Sequence, residues 1–406
     1  MLMTRSRFIT IDEANLQGKR VLLRVDFNVP IKDGKVADDS RIRATIPTIQ
    51  YLHDAGAAVA ILSHLGSPRP AIYDSDYSLE PVANYLTEKM GMEVPLVVEW
   101  LDDLQAGPGQ VVMLENIRFA SGEKTNTDAL ARKMATLCDV YVNEAFASAR
   151  REQSSVHGIA KYLQVAYTGP LFVREVEALE HVVHDVKQPL VTIMGGMRRP
   201  ETKLDLLHAQ LGRSNSILLG GVIGNTFLKA ANRDVGKSVY FPELIDKAVE
   251  ILQKAENSET EIVLPVDVCC GSTMDEEAEC SVRQVDEIEA DDMILDVGPQ
   301  TLQQFAGRVS AAQTLLWTGP LGVAELEKFS TGSREIARAV ASSEAYSIAN
   351  GGDTLALIES LNIQDDYSHL STGGGSSLEF MQGKQLPAVS MMEESARVRY
   401  AMEREY

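Results

Sequence analysis

The chain has 406 residues, 45% of them hydrophobic, which is enough to bury two separate cores. Its formal net charge of −20 excludes general binding to nucleic acid or to anionic membrane surfaces, because a polyanion would have to find basic residues concentrated in one place. No apolar run is long enough to span a bilayer, and stretch 1–17 is mixed and polar without the apolar core of a secretory signal, so a cytoplasmic location is expected. Cys138, Cys269, Cys270 and Cys280 show no paired C-x-x-C spacing. The adjacent pair 269–270 suits neither a zinc site nor a usual disulfide framework, so free thiols are expected.

In chain order, short apolar runs alternate with amphipathic stretches. Strands are predicted at Arg20–Asp26, Ala57–Ser63, Val111–Leu114 and Val140–Asn143, with helices over Ile42–Ala55 and Asp128–Leu137. A long amphipathic segment, Pro170–Val186, reads as a helix linking two domains, and Lys187-Gln188-Pro189 marks the break after it. Further strands follow at Leu190–Ile193, Ser216–Leu219, Ile262–Pro265, Thr314–Trp317 and Ala345–Ile348, with a helix over Arg334–Ala341. The strand runs are mostly unbroken rather than alternating, as expected of parallel strands covered on both faces. This rhythm predicts an α/β chain of two doubly wound, parallel-sheet, Rossmann-like domains with ligands outside the carboxyl ends of the strands.

Basic and polar residues gather at those ends in the first half. Arg24, Asp26 and Asn28 fall in R-V-D-F-N-V-P, Arg41 opens a helix, and His64 follows a strand in S-H-L-G. Arg118 lies in L-E-N-I-R-F and Arg151 ends V-N-E-A-F-A-S-A-R-R. Arginine's planar fork suits carboxylate and phosphate oxygens. Any one of these residues also reads as a structural ion pair, Asp26 as a turn cap and His64 as a core histidine; their shared location favours a site. The second half carries three glycine loops at strand ends: Gly220-Gly221-Val222-Ile223-Gly224, Asn350-Gly351-Gly352-Asp353 and Ser371-Thr-Gly-Gly-Gly-Ser-Ser. Each alone reads as a turn. Together, ahead of helical patterns, they suit phosphate held by helix N–H groups. A near match to a P-loop ends in Gly236-Lys237-Ser238, but Ala231 stands where its first glycine belongs.

Seven motifs in this order resemble the phosphoglycerate kinase family along nearly the whole chain: R-V-D-F-N-V-P (24–30), D-D-S-R-I-R-A (38–44), S-H-L-G (63–66), L-E-N-I-R-F (114–119), L-L-W-T-G-P-L-G-V-A-E (315–325), N-G-G-D-T (350–354) and S-T-G-G-G-S-S-L-E-F (371–380). The resemblance implies reversible phosphoryl transfer between 1,3-bisphosphoglycerate with ADP and 3-phosphoglycerate with ATP, with Mg2+ accompanying the nucleotide. It implies that Asp26, Phe27, Asn28, Arg41, His64, Leu65, Gly66, Ser67, Arg118 and Arg151 form the phosphoglycerate site. Arg41, Lys203, Gly373, Gly374 and Gly375 would stabilise the phosphoryl group in flight. Lys203, Glu325, Asn350, Gly351, Gly352 and Asp353 would hold the nucleotide, with Asp353 nearest the metal. Domains are expected over residues 1–186 and 187–390, joined by a helix and a hinge that closes on both substrates. Segment 391–406 is expected to return to the first domain, and the whole to act as a monomer without nucleic-acid or membrane partners.

Departures from the family pattern cluster near phosphate contacts. The family reads S-H-L-G-R-P where this chain has Ser67, although Arg69 lies two residues on, and G-T-A-H-R where it has Arg150 in the histidine's place. Thr318 replaces the asparagine of W-N-G-P, and Asn350 the first glycine of G-G-G-D. Gly195-Gly196-Met-Arg-Arg-Pro-Glu-Thr-Lys203 resembles G-G-x-K-V-S-x-K with Arg198 for the first lysine, one extra residue and a proline. Lys203 is expected just ahead of the helical run Leu204–Leu211, and Pro200 is expected to bias Arg199 toward extended backbone. A catalytically weak paralogue with a nucleotide-binding or regulatory role, or an enzyme for another acyl phosphate, is the alternative.

Overall fold

The computed structural model describes residues 7–102 and 104–402. The chain divides into two compact units, Met1–Glu177 with Gln385–Tyr406 and Ala178–Lys384. The division falls inside the helix Pro170–Val183, after Glu177 rather than at the break expected after residue 186.

Each unit is built on a six-stranded parallel sheet. In the first, the strands lie side by side as Leu96–Val97, Val111–Leu114, Ala58–Leu62, Arg20–Arg24, Val140–Asn143 and Ala166–Thr168. In the second they lie as Glu261–Val263, Ser216–Leu219, Leu190–Met194, Thr314–Thr318, Tyr346–Asn350 and His369–Ser371. Numbered by chain position, the second sheet runs 3-2-1-4-5-6, the dinucleotide-fold order. Central strands such as Ala58–Leu62 and Leu190–Met194 are buried at every position. They carry no alternation because both faces pack against helices.

The helices follow from their apolar spacing. In Ser40–Asp54 the buried residues are Ile42, Thr45, Thr48, Ile49 and Leu52, one stripe at helical period. That stripe packs on Val21, Leu23, Val59, Ile61 and Val142 to make the first core, and it leaves Arg41 at the helix start beside the strand ends. The second core gathers around Trp317, Phe305, Leu315 and Ile336. The C-terminal helix Pro387–Met402 packs on the first unit, where the Ala388 amide donates to the Ala149 carbonyl at 3.0 Å and the Ala166 amide to Ser395 Oγ at 2.9 Å.

Several features differ from the sequence expectation. The short edge strands Leu96–Val97 and Ala166–Thr168 are too brief to register as apolar runs. An antiparallel three-stranded sheet, Ser281–Gln284, Asp267–Gly271 and Met293–Val297, lies outside the parallel rhythm altogether. This sheet also corrects the expectation of four free thiols. The turn back from Asp267–Gly271 into Ser281–Gln284 brings Cys269 and Cys280 to a Cα separation of 5.4 Å, where they are disulfide-bonded, while Cys138 and Cys270 are free and buried.

Candidate active site

The first sheet changes winding direction between Arg20–Arg24 and Val140–Asn143, and the crevice beyond those two strand ends is where a doubly wound sheet binds ligands. Asp26 lies at its centre. Arg41 Nη1 donates to Asp26 Oδ1 at 2.8 Å and Ser148 Oγ donates to Oδ2 at 2.8 Å, so the carboxylate ties together the segments that follow both strands and the start of the helix at Ser40. Burial alone would raise the Asp26 carboxyl. The guanidinium of Arg41, helped by Arg24 and the Ser148 hydroxyl, overcomes that and holds it well below the usual carboxylate range.

His64, fully buried, stands next to it. Arg24 Nη2 lies 3.4 Å from His64 Nδ1, and a guanidinium can only donate, so Nδ1 accepts and the neutral ring carries its proton on Nε2. Burial pushes the imidazole well below its ordinary value, and Arg24, Arg118 and Arg151 press in the same direction against Asp26, which keeps the ring neutral. Nε2 is buried without a hydrogen-bond partner, and so is Nε of Arg118. Burial, with Arg151 and Arg24 nearby, lowers the Arg118 guanidinium to about 10. Buried donors left without partners are costly, and an anion supplies what they lack.

Gly66 is clamped from both sides: its amide donates to Asn28 Oδ1 at 2.8 Å and its carbonyl accepts from Arg118 Nη1. Its φ of +55° is left-handed, and a Cβ there would stand 2.3 Å from the Tyr77 ring, so only glycine fits. Phe27 and Leu65 are buried apolar side chains, and their backbones anchor the loop, Phe27 N donating to Ser63 Oγ and Leu65 O accepting from Asn116 Nδ2. Ser67 Oγ accepts a 2.6 Å bond from Lys124.

In the second unit the winding reverses between Leu190–Met194 and Thr314–Thr318. The turns after these strands interlock, Gly195 N donating to Thr318 O at 3.1 Å and Gly196 N to Pro320 O at 2.7 Å. A Cβ on Gly195 would stand 2.1 Å from Pro320 O, which explains a glycine there. Lys203 is buried in this knot, with Nζ donating to Gly195 O at 2.6 Å. Burial lowers its ammonium to about 8, partly offset by Asp353. A cavity of about 420 Å³ opens alongside, walled by Met197, Val239, Met274 and Leu326 and carrying Glu325 and Asp353. That size suits a small organic ligand, roughly 300–1,000 Å³ being usual.

The glycine loops stand where the sequence put them. Gly351 (φ +102°) caps the helix Gly352–Ser360, whose first turn holds Asp353, and Gly374 (φ +53°) caps Gly375–Met381. Asn350 Nδ2 donates to Gly374 O at 3.2 Å and ties the two loops together, while Gly373 N bonds back to Ser371 Oγ at 3.3 Å. Gly221, of the third loop, opens the helix Gly221–Ala230 and lines the cavity.

Two expectations around the inserted residue are corrected. Arg199 is not extended: at φ 56° and ψ 51° it is left-handed and serves as N-cap of the helix Pro200–Gln210. The proline takes the first helical position, where its missing N–H costs nothing, and the chain absorbs the extra residue in the turn before it. Lys203 therefore lies inside the first turns of that helix rather than ahead of it. Arg198, mostly exposed, reaches the half-buried Asp353 at 3.4 Å.

The phosphoglycerate kinase family model matches residues 11–384. The chain belongs to the phosphoglycerate kinase family. It is 46% identical over 389 residues to the phosphoglycerate kinase of Francisella tularensis subsp. novicida (strain U112), covering 96% of this chain and 99% of that one. It is equally similar to that of Legionella pneumophila (strain Corby), with 96% and 98% covered. Among solved structures, the phosphoglycerate kinase of Coxiella burnetii superposes with a TM-score of 0.84 at 43% identity, covering 96% of this chain and 100% of that one. The enzyme of Pyrococcus horikoshii OT3 superposes at 0.86 and 31% identity, covering 96% and 99%.

Sequence reasoning missed Ser148 and Lys124 in the first unit and Asp296 in the second. Ser148 and Lys124 sit inside quoted or neighbouring motifs without a charge pattern of their own. Asp296 lies within the strand Met293–Val297, outside the predicted elements; it lines the cavity, and burial raises its carboxyl to about 7 against the amides of Gly332 and Val297.

Proposed function

We propose that the protein catalyses reversible phosphoryl transfer between 1,3-bisphosphoglycerate with ADP and 3-phosphoglycerate with ATP. The observation that carries this is the pair of buried, unpartnered donors, His64 Nε2 and Arg118 Nε, in a crevice already lined by Arg41 and Arg151. A phosphorylated carboxylic acid brings anionic oxygens to both ends of such a crevice. Arg41, fixed by Asp26 on one face, has its remaining donors free to follow charge on the transferring group. In the second unit Glu325 at the cavity takes the ribose hydroxyls, and the amides at Gly351, Gly352 and Gly373–Gly375 take phosphate oxygens.

Lys203 is aimed by its bond to Gly195 and poised to give a full charge to a phosphate. Little covalent work is required of the protein, since phosphoryl transfer depends on positioning and on charge stabilisation. No group of three or more metal-binding side chains occurs among the described residues. Mg2+ held by one carboxylate and by phosphate oxygens needs no such group, and Asp353 fits that role. Bound there, the ion would neutralise charge between the phosphates. Transfer requires the two ligands to meet, so closure of one unit toward the other belongs to the proposal.

No helix among the described residues is long and apolar enough to cross a membrane. A monomer acting in the cytoplasm, as the family resemblance implies, belongs to the same proposal. Purified protein with MgATP and 3-phosphoglycerate, coupled to glyceraldehyde-phosphate dehydrogenase, is expected to oxidise NADH only when both substrates are present. Folded protein without turnover above background would overturn the proposal.

A further inference from the structure

The loop after Ala58–Leu62 ends in Ser67, where the family pattern carries an arginine, so one cation is missing from a site that otherwise keeps its basic residues. The structure places another cation at that spot. Lys124, in the turn that follows Ile117–Phe119, reaches across to donate from Nζ to Ser67 Oγ at 2.6 Å. Its neighbours identify what it faces. Partial burial and the fields of Arg118 and Arg151 all lower the Lys124 ammonium. Lys124 therefore belongs electrostatically to the same cluster as the two arginines and is no isolated surface lysine. Among the described residues no acidic partner of Lys124 offsets that repulsion.

We propose that Lys124 is a substrate-binding residue that holds the phosphate end of the phosphoglycerate, in the place left by the arginine missing at position 67. The hydroxyl of Ser67 orients the ammonium, and the bound phosphate relieves the mutual repulsion of Lys124, Arg118 and Arg151. Arg118 is anchored on the Gly66 carbonyl, one residue from Ser67, which puts its unpartnered Nε and the Lys124 ammonium at the same loop. An ammonium is a compact point charge with rotatable donors, whereas an arginine would grip two oxygens in a plane. The site therefore keeps the charge but gives up a fixed bidentate geometry, and it should tolerate changes at the phosphate end better than an arginine site would.

This inference rests on the phosphoglycerate reading of the same crevice, and calorimetric titration separates the two. 3-Phosphoglycerate and, as a probe lacking the phosphate, glycerate are titrated into the full-length wild type, Lys124→Ala, Lys124→Arg and the Ser67→Arg/Lys124→Ala double variant. Lys124→Ala is expected to weaken 3-phosphoglycerate about tenfold, to leave glycerate within twofold and to leave ADP unchanged. Lys124→Arg should stay within about threefold of wild type, and Ser67→Arg should recover most of the loss in the Lys124→Ala background. Wild-type binding with Lys124→Ala within twofold overturns the role of Lys124 alone. An equal loss for ADP or glycerate, or no recovery by Ser67→Arg, overturns it as well. A wild type that does not bind 3-phosphoglycerate overturns the phosphoglycerate reading itself, and this inference with it.

Discussion

The two units are equipped for anions by different physical means. The first surrounds its crevice with side-chain cations organised on one buried carboxylate, Asp26, which Arg41 and Ser148 both bond. The second relies on backbone: glycine turns with positive φ at Gly196, Gly351 and Gly374, helix starts behind them, and a single buried ammonium. A charge on a side chain can move to a neighbouring segment without disturbing the chain, as proposed for positions 67 and 124. A contact made by backbone depends on dihedral angles that few residues adopt, so it can be lost but not relocated. Both halves depart from the family pattern, the basic half at Ser67 and Arg150 and the glycine half at Thr318, Asn350 and the inserted residue before Lys203, while the positive-φ turns at Gly351 and Gly374 remain.

That contrast predicts unequal responses. Arg41→Ala is expected to lower kcat by ~100-fold to ~1000-fold, the usual loss when one donor aimed at developing charge is removed, while circular dichroism stays native. A variant within about threefold of wild type, under ~1 kcal/mol of barrier, would make Arg41 a helix-start surface charge. Lys203→Met should lower kcat/KM for ATP by ~100-fold, while Arg199→Ala, a left-handed N-cap with an exposed side chain, stays within about threefold. If Arg199→Ala is the more damaging, the register across the inserted residue is wrong.

Gly374→Ala tests the backbone side of the comparison. At φ 53° and ψ −114° a Cβ is strained, at about 1–3 kcal/mol, so this variant should lower the melting temperature of the protein and weaken nucleotide use by roughly tenfold. Gly18→Ala, also at positive φ (+69°) but with open space around it, should lose only stability. Equal effects of the two on ATP use would remove any special role for the 374 turn.

The smallest effect is in proton linkage. With its ammonium lowered to about 8, Lys203 is partly neutral near pH 8.5 in the free protein. An adjacent phosphate favours the charged form, so ATP binding at that pH should take up protons, by less than one per site, and affinity should fall as pH rises through this range. Calorimetry in buffers of different ionisation enthalpy reads the uptake directly, and Lys203→Met should abolish it. Sign also fixes the stability trend of the free protein. A lysine whose folded value lies below its unfolded one binds fewer protons when folded, so its destabilising contribution shrinks as pH rises from about 8 toward ~10.4.

Much of this was legible in the sequence for physical reasons. Central parallel strands are buried on both faces, so Ala58–Leu62, Val111–Leu114 and Ser216–Leu219 stand out as unbroken apolar runs. Residues such as Asp26, His64 and Arg118 are recognisable because polar groups at strand ends break those runs. What stayed hidden depends on contacts between distant segments. Lys124 meets Ser67 across 57 positions of chain, and Ser148 meets Asp26 across 122. The pairing of Cys269 with Cys280 needed the antiparallel pairing of Asp267–Gly271 with Ser281–Gln284, two short strands that stand outside the parallel rhythm and that no local pattern joins. Arg199 was misjudged because the tendency of pre-proline residues to extend gave way to the needs of a helix start.

The central claim is that the first unit binds the phosphoglycerate and the second the nucleotide. Chemical-shift mapping on isotope-labelled protein tests it most directly. Titration with 3-phosphoglycerate alone should shift the amides of Asn28, Arg41, Gly66 and Arg118 and leave those of Gly196, Gly351 and Gly374 in place, and MgADP alone should do the reverse. Shifts from 3-phosphoglycerate confined to the glycine turns, or MgADP perturbing the Asp26–Arg41 cluster first, would contradict the account.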